Sequence, residues 1–321
     1  MELSLWPPRW KHPWVISRNQ ALGAAVAAYV MWGFLPPFLA ALKPATPMEI
    51  LAHRILWSFV LVLLMLLALR GGWGWLRTSV FTRKALPSLL AAAGLIGANW
   101  LTYIWAVNND HVVEASLGYF INPLVIVLAG VVIFGERMGL GARIGGGIAL
   151  LGVIVISASS WQGLWVSLSL AVTFALYGVV KKRSTLTALQ GLLIESAFLI
   201  PITLPYLLWL GPDGQFGRAL GPSLLLVLAG AVTALPLWCF AVAAPRLQFG
   251  VLGVLQYVSP TIQFLLGITV FGEHVSTIYW LGLVAVWIGS VIYLTLAIRE
   301  HQAPPGSEPI QLSGENAGRP R

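Results

Sequence analysis

The sequence predicts an all-α integral membrane protein, with ten transmembrane helices in two inverted five-helix repeats. Three observations carry this: ten apolar runs of membrane length, basic residues confined to alternate loops, and a gapless internal repeat. Of 321 residues, 58% are hydrophobic and only 9% charged, with mean hydropathy +0.84. A soluble domain has about 25% charged residues, so most of this chain must face lipid or other helices. The apolar runs occupy residues 21–42, 47–69, 86–107, 112–134 and 142–159, then 163–180, 187–210, 222–244, 249–271 and 277–298. Each is roughly 18–24 residues long, which crosses a ~30 Å hydrocarbon core at ~1.5 Å rise per residue. They do not alternate polar with apolar, as membrane strands do, so they are helices.

Of the 19 Lys and Arg residues, 16 lie in alternate loops and the two tails, counting Arg143 at the edge of the fifth run. The opposite loops hold only Lys43 and Arg218, and Arg54 falls inside the second run. Positive residues stay on the cytoplasmic side, which places both termini there. The pI near 9.9 then reflects orientation, and nucleic acid is excluded as a partner. Cys239, the single cysteine, lies inside a run and allows no internal disulfide. Residues 1–20 form a basic cytoplasmic segment without the apolar run and cleavage site of a removable signal peptide. Residues 299–321 are expected to be a disordered cytoplasmic tail.

Residues 103–136 align with 240–273 without a gap, at an offset of 137. Ala106/Ala243, Pro123/Pro260, Leu128/Leu265 and Gly130/Gly267 match, as does Phe-Gly-Glu at 134–136 and 271–273. The offset continues through Gly145/Gly282 and Gly152/Gly289. The expected units are therefore residues 21–159 and 160–298. Five helices per unit is odd, so the second unit enters the membrane upside down, the architecture of secondary transporters. Pro123 and Pro260 are the expected hinges, since proline removes a backbone hydrogen bond in mid-helix.

The paired segments ending in Phe-Gly-Glu resemble the EamA repeats of the drug/metabolite transporter superfamily. Glu49 to Arg54, Asn99-Trp100, Ile104 to Asn109, Glu114 to Leu124 and Ile194-Glu195 resemble, more narrowly, the RarD-type (chloramphenicol-sensitive protein) permeases. The resemblance covers nearly all of residues 20–298. It implies a multi-pass permease of the bacterial inner membrane that exports small organic molecules. The implied partners are a small-molecule substrate, the lipid bilayer and a proton or ion gradient, with a homo-oligomer left open. No cofactor or metal is expected.

Ionisable groups at bilayer depth cost ~2.5–3.5 kcal/mol on insertion scales, so each needs a reason. Arg54 lies about eight residues into the second run and Glu195 about eight into the seventh, or ~12 Å from opposite faces. An offset of 141 pairs Thr46 with Thr187 and Arg54 with Glu195. One reading has the two charges meet near the midplane, directly or through substrate; the other gives each its own local solution. Glu49 and His53, four apart on one face, form either a proton relay or an ordinary hydrogen bond at the helix mouth. Asn99 and Asn122 either bind cargo or tie helices together. Gln256 and Gln263 share a face two turns apart. Trp32, Tyr119 and Tyr257 either stack on a ligand or pack. Glu114 guards the outer mouth or serves the helix dipole. Glu136 and Glu273 are structural, each needing a specific partner because a carboxylate is unfavourable at a helix C-terminus.

The chain does not read as an enzyme. Its two aspartates, Asp110 and Asp213, lie in loops, and it has neither a His-Glu-x-x-His zinc motif nor a P-loop. No histidine is placed in the sequence to activate Ser223 as a nucleophile. A receptor or scaffold is the other alternative, but no soluble output domain fits in the chain.

Overall fold

The computed structural model describes residues 17–69, 72–83, 85–135, 139–159, 161–181, 184–247 and 249–302. Among them the regular structure is helical, with no strand. In chain order the α-helices are α1 (Arg18–Gly33), α2 (Leu35–Ala40), α3 (Pro47–Ala68), α4 (Ala85–Asn108), α5 (Val112–Phe134) and α6 (Leu140–Ser159). Then come α7 (Trp161–Lys181), α8 (Ala188–Leu210), α9 (Leu220–Ala243), α10 (Phe249–Leu255), α11 (Val258–Thr269) and α12 (Thr277–Gln302). Seven segments, Pro47–Ala68 and Val251–Thr269 among them, are long and apolar enough to cross a membrane; Arg143–Ser157 and Thr277–Tyr293 are shorter apolar stretches. Glu136 lies outside the described residues, as do 1–16 and 303–321.

The helices start where side chains can satisfy their first N–H groups. Thr46 accepts from the Glu49 N–H at 3.2 Å, and Pro47 follows at the first helical position of α3. Thr187 and Gln190 form a reciprocal capping box on α8 (3.3 and 3.0 Å). Ser17 and Gln20 do the same for α1. The stops are equally local. Gly135 and Gly272, the central residues of the two Phe-Gly-Glu motifs, have φ of 66° and 67°. This left-handed conformation ends a helix and favours glycine.

Two of the expected runs are divided. The first breaks at Phe34. Pro36 has no N–H to offer the Trp32 carbonyl four residues earlier. Gln263 Nε2 of α11 donates to that oxygen instead, at 3.0 Å. The ninth run breaks at Gln256 and Tyr257, between α10 and α11. The expectation of matching mid-helix prolines is corrected here. Pro123 lies inside an unbroken α5, whereas Pro260 sits in the first turn of α11. There a backbone N–H has no intrahelical partner, so proline forfeits nothing. At its end, α12 continues to Gln302, past the expected boundary at 298.

Helix α3 packs on α8 and α9, α4 on α7 and α8, α5 on α7 and α11, and α1 on α9 and α11. Leu39, Ile50, Ile55, Tyr103, Ile104 and Leu170 fill one core, while Leu117, Phe120, Phe264 and Leu283 fill another. The outside is apolar as well: Trp209 is 81% and Val132 74% exposed. Apolar surface of this extent is expected where lipid, not water, is the solvent.

Helix α6 packs against α12 through four glycines. A Cβ at Gly145 would strike the backbone of Gly289, and one at Gly152 that of Gly282; the reverse holds for both. Rising numbers on α6 meet falling numbers on α12, so the two helices are antiparallel. At the offset of 137, each of these contacts maps onto the other. Phe120 and Tyr257, also 137 apart, stack on each other with ring centroids at 6.2 Å.

Gly145→Ala and Gly152→Ala should each lower stability by roughly 1–3 kcal/mol through forced separation of backbones. Gly147, with open space around its Cβ position, should tolerate Ala without loss. Thermal unfolding of the purified variants in detergent checks the contrast.

Candidate functional site

Helix α3 carries Arg54 into the interior, where it is 5% exposed. Its Nε donates to Thr233 Oγ1 of α9 at 2.7 Å, and its guanidinium lies 4.4 Å from the ring centroid of Trp100 on α4. The Nη1 nitrogen is buried with no protein acceptor. Helices α3 and α9 come this close because Gly230 presses on the backbone of Trp57 and Ser58, and Ser58 Oγ donates to the Gly230 carbonyl at 3.5 Å.

Glu195, on α8, is 2% exposed and has a different partner from the one its matched position suggests. Lys181 Nζ, from the last turn of α7, donates to Oε1 at 2.8 Å, and the Tyr177 hydroxyl to Oε2 at 3.1 Å. Gly191 leaves room for the lysine, since a Cβ there would strike Nζ. Direct approach of Arg54 to Glu195 is therefore corrected: the described ion pairs are Lys43–Asp110, His111–Glu114 and Lys181–Glu195. The reason is reach. Tyr177 and Lys181 share one face of α7, four residues apart, and the lysine stem carries its charge inward.

Glu49 and His53 do not form a relay with each other. Glu49 Oε1 accepts from the N–H groups of Gln215 and Phe216, at 2.5 and 3.4 Å. The His53 ring lies 4.8 Å from Phe216, and its Nδ1 accepts from Trp57 Nε1 at 3.3 Å. Both side chains secure the loop between α8 and α9 over the mouth of α3. Arg218 closes the same loop through the carbonyls of Pro212 and Asp213.

Asn99 ties helices together. Its Nδ2 donates to the Leu170 carbonyl and Thr173 Oγ1 of α7, at 3.0 and 2.9 Å, and its Oδ1 accepts from the Tyr119 hydroxyl of α5 at 3.3 Å. Asn122 Oδ1 is buried without a partner, beside Pro123. Gln263 is drawn to Trp32 and Ser259, whereas Gln256 sits at the break before α11. Trp32 packs with Tyr29 and Phe240. Tyr257 lines a cavity of about 300 Å³ with Phe120, Thr261 and Trp287.

At the N-terminus of α5, Glu273 has the specific partner it needs. Its two carboxylate oxygens accept from the N–H groups of Val112 and Val113, at 2.6 and 2.7 Å. A carboxylate is favourable at that positive helix end. Burial pushes the Glu273 carboxyl above its ordinary 4.5; the two amides and His111 pull it down, and Glu114 pushes it up. Glu114 lies 3.5 Å from His111 Nδ1. These groups line a second cavity of about 380 Å³. Sequence reasoning missed Lys181, Tyr177, Thr233 and Trp100. The signal for the first two was their four-residue spacing on a helix ending beside the run that holds Glu195.

Charges buried among helices with an apolar exterior define a multi-pass membrane protein, and the comparisons make it a transporter. Residues 20–158 match the EamA-like transporter family. Protein RarD of Streptomyces exfoliatus is 44% identical over 275 residues, covering 85% of this chain and 87% of that protein. An uncharacterized transporter of Bacillus subtilis (strain 168) is 40% identical over 270 residues, covering 83% and 90%. A solved crystal structure, 20% identical, superposes with a TM-score of 0.58 over 88% of this chain and 100% of that one; it speaks for the fold alone. The chain belongs to the EamA-like transporter family, in which RarD proteins share most of its length.

In a double-mutant cycle, Glu195→Gln and Lys181→Met should couple by about 1–3 kcal/mol in unfolding free energy, whereas Glu195→Gln and Arg54→Gln should add within about 0.5 kcal/mol. Glu273 sets a pH dependence. An acid whose folded pKa is raised binds more protons folded than unfolded, so its contribution to stability falls as pH rises from 4.5 through the folded value. Thermal scans should show wild type losing stability relative to Glu273→Gln across that window.

Proposed function

We propose that this protein is a secondary-active permease for small organic molecules, built from two inverted five-helix repeats that span the membrane ten times. It works by alternating access. The observation that carries this is the antiparallel crossing of α6 and α12, whose two glycine contacts exchange under the same 137-residue offset that aligns the halves. A two-fold axis in the membrane plane would give that pattern. The stacking of Phe120 on Tyr257 lies on the same axis in this reading. The paired α3 and α8, whose N-caps Thr46 and Thr187 match, carry Arg54 and Glu195 to the central pathway.

Two breaks give the pathway its moving parts: Phe34 in the first span, and Gln256–Tyr257 in the ninth. Helix segments joined at a break can swing without disturbing the self-complementary α6–α12 contact. The basic loops support cytoplasmic termini in the bacterial inner membrane, and the direction is export, as the resemblance to RarD-type permeases suggests. With no P-loop in the sequence, an ion or proton gradient drives uphill movement. The names of the relatives support a carrier over an enzyme.

Reconstituted vesicles test this reading. Flux of small solutes should depend on an imposed gradient and fall at least tenfold in Glu195→Ala, which leaves Lys181 with no carboxylate partner. Hydrolysis of a solute without flux would discard the permease. Cysteine labelling on a Cys239→Ser background should place Thr82 and Asp213 on opposite sides of the membrane.

A further inference from the structure

We propose that Arg54 is the docking point for an anionic group, and that the cargo is an organic carboxylate with an apolar or aromatic body. This rests on the permease reading above and adds the chemistry that the pathway recognises. A guanidinium offers five N–H donors in a rigid fork. At Arg54 the Nε donor is taken by Thr233, while Nη1 is buried with no acceptor. Thr233 spends its own hydrogen on the Ala229 carbonyl, at 2.9 Å. Two tyrosines, Tyr119 and Tyr103, lie in the surroundings of Arg54. Tyr119 donates to Asn99, and the buried Tyr103 hydroxyl has no partner. Among the described residues, the groups left unsatisfied around Arg54 therefore include a fixed cation and a hydroxyl donor, and no anion.

The buried carboxylates Glu49 and Glu195 are occupied, and so is the half-buried Glu273. Glu195 holds Lys181 and Tyr177, Glu49 holds the amides of Gln215 and Phe216, and Glu273 holds the N-terminus of α5. Among the described residues no carboxylate forms an ion pair with Arg54. A buried cation is costly until an anion joins it, so the site is arranged to gain more from an anionic ligand than from a neutral one. A carboxylate matches the guanidinium fork. Trp100 covers one face of the guanidinium, and Tyr103 and Tyr119 pack with ring centroids 5.6 Å apart. Those rings provide an apolar wall for the body of the ligand, which a bare halide would not use.

The test is a ligand titration of the thermal unfolding midpoint of the full-length protein in nanodiscs, at constant ionic strength. The probes are acetate, benzoate and indole-3-acetate, with benzamide and chloride as controls. The carboxylates should raise the midpoint, as a ligand of the folded state does, while benzamide and chloride leave it unchanged. Arg54→Gln should weaken carboxylate binding by roughly 30-fold or more. Tyr103→Phe removes only an unpaired hydroxyl, so it should keep or raise the midpoint of the unliganded protein and still weaken carboxylate binding. That split is one a merely structural tyrosine would not give. If Arg54→Gln does not fold, Tyr103→Phe and Arg54→Lys decide.

The proposal is overturned if none of the carboxylates shifts wild type, or if the shift persists undiminished in these variants. A saturable shift with chloride equal to that with benzoate assigns the site to an inorganic anion and overturns the cargo class. Flux measured on the same purified protein reconstituted into sealed vesicles separates the two levels. Flux without carboxylate binding discards the anion site and keeps the permease, while absence of any solute flux discards both.

Discussion

Inside a bilayer a polar group has no water to turn to, and that constraint shapes every part of this protein. The Trp32 carbonyl, freed by Pro36, is met by a glutamine side chain from α11. The first amides of α5 are met by Glu273 from beyond the end of α11. Asn99 satisfies itself across α7 and α5, and Glu195 across α7. None of these bonds stays within its own helix. Each polar atom that the membrane isolates becomes a tie between segments far apart in sequence. Uncharged interhelical hydrogen bonds average only about 0.6 kcal/mol, so those ties act more by fixing which helices meet than by stabilising the bundle.

Arg54 departs from that pattern. Thr233 and Trp100 hold it in place and stack against it, but its charge is left unanswered. The contrast with Glu195 matters because the two residues occupy matched positions on α3 and α8. One of a matched pair has its counter-ion on a neighbouring helix, and the other has none among the described residues. Sites where local rules fail are where function is expected to sit. The asymmetry thus directs attention to one half of the molecule.

Much of the fold was legible in the sequence because hydropathy and glycine report on backbone surroundings. The apolar runs became helices, Thr46 and Thr187 both became N-caps, and the glycines of Phe-Gly-Glu at 135 and 272 took the left-handed conformation that ends a helix. The breaks were hidden. Pro36 and Pro37 sit within an apolar run, and hydropathy is blind to a missing N–H. Pro260 reads as mid-helix until the preceding turn is seen to be interrupted. Partners of the buried charges were least legible. Lys181 looked like an orientation signal, though its long stem lets it serve both loop and interior. Glu49 and His53 share a face as their spacing requires, but Glu49 holds the backbone of Gln215 and Phe216, distant in sequence, and His53 packs on the Phe216 ring.

The glycine crossing of α6 with α12 has a further consequence. In a dimer of identical chains, a self-complementary contact changes in both places whenever one residue changes. Here Gly145 against Gly289 and Gly152 against Gly282 are encoded by four separate codons. One crossing point can be loosened by mutation while the other stays tight. Carrying both crossing points in a single polypeptide therefore frees the two ends of the seam to diverge, and under the alternating access proposed above the two facing forms need not then be equal in energy.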